Sequence, residues 1–125
     1  MITQIDHVVL VVADIDRTIE FYTRVLQMDV EEFEGGRRAL RFGGQKFNLQ
    51  TPASVNHDHA APGSANLCLL SDWPMKKIVA QLHHEGVEIK VGPEEREGAV
   101  GPMLSVYFTD PDGHLIEVSQ PLPAR

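Results

Sequence analysis

The first apolar run, Ile5–Val12, has the pattern and length of a β-strand, and it gives way to helical spacing at Ile15, Ile19, Tyr22, Val25 and Leu26. Asp14 and Asp16 are both available as the helix N-cap. Three short strand-like segments follow, Val30–Glu34, Arg37–Phe42 and Gln45–Gln50. Gly35-Gly36 and Gly43-Gly44 separate them, and paired glycines supply the positive φ angles that tight hairpins need. The first half therefore reads βαβββ. A connection over Thr51–Ser64, with Pro52, Pro62 and Gly63, leads to a second series. It comprises a strand at Leu67–Leu70, a helix at Pro74–Glu85 with Asp72 as cap and Gly86 as its stop, and a strand at Val87–Val91. A long loop at Gly92–Pro102 precedes a hairpin of Met103–Thr109 and Leu115–Ser119, turning at Asp110-Pro-Asp-Gly113.

The order βαβββ thus occurs twice, and aligning the halves pairs four polar residues that interrupt apolar strands. His7 corresponds to Asn66 (66 − 7 = 59) and Asn48 to Glu117 (117 − 48 = 69), the larger offset reflecting the longer loop in the second half. Period-two alternation sends the four to corresponding faces of their strands. Imidazole nitrogen and carboxylate oxygen, at His7 and Glu117, are ligand types of a divalent metal site. Taken alone, the two residues read equally well as exposed strand positions.

In Ile5-Asp-His-Val-Val-Leu-Val-Val-Ala-Asp14, Ile19-Glu-Phe-Tyr22 and Ser105-Val-Tyr-Phe-Thr-Asp-Pro-Asp-Gly-His-Leu-Ile-Glu-Val118 the chain resembles the vicinal oxygen chelate superfamily of glyoxalases, bleomycin-resistance proteins and extradiol dioxygenases. Phe42-Gly-Gly-Gln-Lys-Phe-Asn-Leu49, Pro62-Gly-Ser-Ala-Asn-Leu-Cys-Leu69, and Gly92-Pro93 with Arg96 and Gly101-Pro102 are most similar to small glyoxalase-domain proteins. The resemblance implies an α+β fold in which two βαβββ modules, residues 3–50 and 65–120 of a single domain over 1–125, form a cupped mixed sheet. It implies a divalent metal (Ni, Zn, Mn or Fe) at four symmetric positions, here His7, Asn48, Asn66 and Glu117. It also implies a homodimer. Asparagine at the second and third positions departs from the carboxylate or histidine usual there, leaving His7 and Glu117 as the strong ligands. A glyoxalase-like, metal-dependent enzyme of lyase, isomerase or dioxygenase type is the expectation. The alternative is a metal-free small-molecule-binding protein of the bleomycin-resistance type.

Glu117 is the carboxylate placed for proton transfer, and Tyr107, on the strand before it, is expected to hydrogen-bond a substrate oxygen or orient Glu117, unless its ring simply packs. Ser105 shares that strand face. Asn48, Asn66 and Gln50 are expected to line the substrate cavity, and Lys46 and Arg41 nearby read equally as groups for an anionic substrate or as ordinary solvated charges. Arg96, in the Gly92–Pro102 loop, reads as a guanidinium on a mobile segment that closes over a carboxylate, or as part of a solvated cluster with its glutamates. His57 and His59 read as surface residues, His83 and His84 as residues near a helix C-terminus, and His114 as a histidine with no evident chemical partner. Trp73 reads as packing.

A formal net charge of −7, from 18 acidic and 11 basic residues, disfavours nucleic acid and anionic membrane as partners, while the resemblance implies a small-molecule substrate or ligand. The lone Cys68, in Leu67-Cys-Leu-Leu70, reads as a small buried hydrophobe in a reducing cytoplasm. The Val8–Ala13 run is strand-length, without the basic region and long apolar segment of an export signal.

Overall fold

The computed structural model describes residues 1–54 and 59–124. His57 lies outside them. Two compact units emerge, one of residues 1–65 with 111–113, the other of 66–110 with 114–125. Each contains a four-stranded mixed sheet and one helix.

In the first unit, β1 (His7–Val11) is followed by α1 (Ile15–Leu26), β2 (Asp29–Phe33), β3 (Arg37–Phe42) and β4 (Gln45–Gln50), with sheet order β1-β4-β3-β2. Asp14 caps α1, its Oδ1 accepting from Arg17 N at 3.1 Å. Tyr22 on the helix packs edge-on against Phe47 of β4, and Leu10, Leu40 and Leu49 are buried with them. Burial of each such side chain contributes about 1.5–3 kcal/mol, enough to forbid a one-residue slip that would turn them to water. The opposite face is thereby fixed as the polar one.

The second unit repeats this plan with β5 (Asn66–Leu70), α2 (Met75–His84), β6 (Val91–Glu97), β7 (Pro102–Thr109) and β8 (Leu115–Pro121), in the order β5-β8-β7-β6. Met75, Ile78 and Leu82 of α2 are buried, and the helix lies against β7. Two expectations change here. Asp72 does not cap α2. The N-cap position is Pro74, and the free Met75 N–H is taken at 2.8 Å by the Gln120 side-chain oxygen of β8. The Gly92–Pro102 segment is mostly strand, since β6 starts at Val91, where Val87–Val91 was expected to end one. Its pairing with β7 shifts register between Val91 and Glu94, absorbing Gly92 and the Pro93 that has no N–H to donate. Gly92 has φ +94°, and a Cβ there would stand 2.4 Å from the Ser105 carbonyl oxygen, so only glycine fits.

Among the described residues, no helix is long and apolar enough to cross a membrane.

Candidate active site: two equivalent polar sheet faces

Ladder register tests the sequence alignment within each unit. In the first, His7 pairs with Lys46 and Val9 with Asn48; in the second, Asn66 pairs with Leu115 and Cys68 with Glu117. The offsets of 59 and 69 read from the sequence therefore relate strand pairs as well as residues. His7 and Asn48 lie on one face of their sheet, Asn66 and Glu117 on the corresponding face of theirs.

On the first face, His7 is partly exposed and its Nδ1 meets Asp6 Oδ2 at 2.9 Å. The histidine holds the Asp6 carboxyl below its ordinary pKa, through that hydrogen bond first and its charge second. A proton on Nδ1 facing the carboxylate leaves Nε2 as the free coordinating atom. Asn48 is 5% exposed, and its Oδ1 has no hydrogen-bond partner among the described residues. An orphaned buried carbonyl costs about 1–3 kcal/mol, so it marks a place for a cation or a donor group. Gln50 lies half-buried on the same face, two residues along β4.

On the second face, Glu117 lies between Cys68 on β5 and Tyr107 on β7. Its carboxylate disfavours ionisation of both the thiol and the phenol. Desolvation is the main reason that the Tyr107 hydroxyl titrates above its ordinary value; Arg96 pulls it down and Glu117 pushes it up. Arg96 Nε donates to the Tyr107 oxygen at 3.1 Å, which also holds the guanidinium firmly protonated, and a second arm of Arg96 pairs with Glu94. Arg96 is thus on strand β6, against the expectation of a mobile loop, because its backbone is laddered to Met103. Ser119 Oγ is 3.4 Å from Glu117 Oε2 and 2.6 Å from Ser105 Oγ, so the predicted Ser105 reaches Glu117 only through Ser119. Asn66 is exposed at the start of β5.

Cys68 corrects the sequence reading. It is exposed, on the face of Glu117, with Sγ 3.4 Å from Ser119 Oγ. Leu67 and Leu69 take the opposite face, and alternation leaves the thiol among the polar groups. Loss of hydration at sulfur is the largest reason that its pKa is raised, ahead of Glu117, while Ser119 opposes the rise. His114 corrects it too. The ring is buried, and within the turn its nitrogen and the carboxylates of Asp110 and Asp112 all lie within 4.8 Å. Those carboxylates already brace the backbone: Asp110 Oδ1 accepts from His114 N at 3.0 Å, and Asp112 Oδ1 from Ala13 N at 3.1 Å.

The sequence model of the Glyoxalase/Bleomycin resistance protein/Dioxygenase superfamily matches residues 4–118. The chain belongs to this superfamily. It is 44% identical over 123 residues to virulence protein STM3117 of Salmonella typhimurium, covering 96% of this chain and 85% of that one. The crystal structure of that virulence protein superposes with TM-score 0.93 at 42% identity, covering 98% and 99% of the two chains. Glyoxalase domain-containing protein RDO1 of Mycosarcoma maydis is 42% identical over 121 residues, 94% of this chain and 68% of that one. The superfamily also includes proteins named as lactoylglutathione lyases and metallothiol transferases, and its members bind small molecules.

Proposed function

We propose that this superfamily member is a cytoplasmic, homodimeric, metal-dependent enzyme that acts at neighbouring oxygens of a small molecule, by lyase, isomerase or dioxygenase chemistry. The observation that carries the reading is the equivalent register of His7 with Asn48 and of Asn66 with Glu117 in the two units. His7 and Glu117 are the metal ligands in this reading, and their donor set suits nickel, zinc, manganese or iron(II). The orphaned Asn48 oxygen fits a site that receives a cation or a substrate hydroxyl. Such a metal, when bound, supplies polarisation of substrate oxygens. Glu117 moves the substrate proton, and Tyr107, its neighbour across the β7–β8 ladder, orients the carboxylate and contacts substrate. Asn48, Asn66 and Gln50 line the substrate's polar side, and Arg96 positions Tyr107. The relatives named as lactoylglutathione lyase and metallothiol transferase support small-molecule chemistry of this kind.

A second reading, a metal-free binder of the bleomycin-resistance type, is favoured by the two neutral asparagines. Calorimetric titration with the four metals separates them. The enzyme reading expects near-stoichiometric binding to wild type that is lost in His7→Ala and Glu117→Gln. Asp6→Asn, which unties the histidine ring, is expected to weaken affinity at least about tenfold. No metal binding to wild type above the background of these variants, together with organic-ligand binding unchanged in His7→Ala, replaces the enzyme with the binder.

A further inference from the structure

Among the described residues, the Lys46 ammonium has no hydrogen-bond acceptor. Its side chain is 16% exposed, its Nζ stands 3.8 Å above the Phe33 ring centre, and the nearest carboxylate oxygen, Glu31 Oε2, is 3.8 Å away, too far for a hydrogen bond. An ammonium carries three donors, and the Phe33 ring and the distant Glu31 carboxylate leave them open to a stronger acceptor. Two residues along the same strand face, Asn48 Oδ1 is a buried acceptor without a donor. Neither group relieves the other, because neighbours on one strand face stand about 7 Å apart at Cα.

The ladders set these groups in two parallel rows. One runs His7, Lys46, Arg41, Asp29; the next runs Val9, Asn48, Ala39, Glu31. Ala39, fully buried, leaves Asn48 no side-chain partner from β3. Glu31 sits between the cations, 3.2 Å from Arg41 Nε without hydrogen-bond alignment, and balances one of the two charges. Asp29, at the row's outer end, is exposed and screened by water. Asp6, beside His7, also acts on Lys46 and Arg41 by its charge, and its exposed carboxylate is screened by water in the same way. Among the described residues, the Lys46 ammonium thus stands beside a hydrogen-bond acceptor with no carboxylate in hydrogen-bond contact.

We propose that this face binds a small hydroxycarboxylate, with the carboxylate on Lys46, seconded by Arg41, and the hydroxyl donating to Asn48 Oδ1. An ammonium with no carboxylate in hydrogen-bond contact suits one small carboxylate group. A neutral hydroxyl suits Asn48 because an ammonium donor would be repelled by Lys46. The substrate class deepens the enzyme reading above and rests on it for its chemical meaning, while the anion contacts themselves require no metal.

The probes are L-lactate and D-lactate, propionate, which lacks the hydroxyl, and lactamide, which lacks the charge. Each is titrated into chelator-treated protein and followed by amide NMR shifts. One lactate enantiomer is expected to bind more tightly than propionate and lactamide and to shift resonances of β3 and β4. Lys46→Met, with Lys46→Gln as a second variant should the first not fold, is expected to weaken lactate about tenfold, a loss of the order of one charge-assisted contact. Asn48→Leu is expected to abolish the preference for lactate over propionate. Lactate affinity unchanged in the Lys46 variants, or propionate binding as well as lactate to wild type, overturns the proposal. Nickel titration of the same proteins keeps the two readings apart. Lactate binding without nickel binding removes the metal enzyme and leaves this site, whereas nickel binding without lactate binding removes this site alone.

Discussion

Tyr107 and Glu117 face each other across the β7–β8 ladder, and the Tyr107 phenol accepts a hydrogen bond from Arg96 at 3.1 Å. Ionising the phenol would place a second negative charge against Glu117. Ultraviolet titration is therefore expected to show a tyrosine ionising above the usual value of about 10 that disappears in Tyr107→Phe. Glu117→Gln is expected to lower it and Arg96→Met to raise it further. Because the folded state favours the neutral phenol, this contribution to stability is complete below the ordinary pKa and is lost as pH rises through the folded value. Unfolding midpoints falling more steeply in wild type than in Tyr107→Phe across that alkaline window check the sign.

The Cys68 thiol is open to solvent yet disfavoured as a thiolate by lost hydration and by Glu117. Reaction with a disulfide reagent at pH 8 is expected to be slower than that of free cysteine, by roughly threefold or more. Glu117→Gln is expected to speed it and Ser119→Ala to slow it, since the Ser119 hydrogen bond favours the thiolate. A wild-type rate equal to that of free cysteine contradicts the environment described.

The start of α2 is held by Gln120, sixth in β8 and 45 residues along the chain from the Met75 N–H it accepts. Urea unfolding is expected to show Gln120→Ala destabilised by about 1 kcal/mol, the usual worth of a lost cap. Asp72→Ala is expected to lie within about 0.5 kcal/mol of wild type. The reverse order would restore Asp72 as the cap.

The repeat, the two helices, an aspartate cap at Asp14 or Asp16 and the polar positions at His7, Asn48, Asn66 and Glu117 were all legible in the chain, because each depends on neighbours within a few residues; the fold chose Asp14. A lone polar residue between apolar ones, as Glu117 between Ile116 and Val118, announces which face it takes. Leu67-Cys-Leu-Leu70 announces nothing, since four apolar residues in a row carry no phase; only the pairing of Cys68 with Glu117 turned the thiol to the polar face. Strand β6 was hidden for a related reason. Backbone hydrogen bonds to β7 are indifferent to side-chain polarity, so a Gly-Pro, glutamate-rich segment that reads as a loop can be held as an edge strand, and Arg96 with it. Sequence determined which residues alternate and repeat. The partners that leave Lys46 and Asn48 unsatisfied, cap α2 from β8 and join Arg96 to Tyr107 were decided by tertiary structure alone, because those groups come from strands whose adjacency no local pattern encodes.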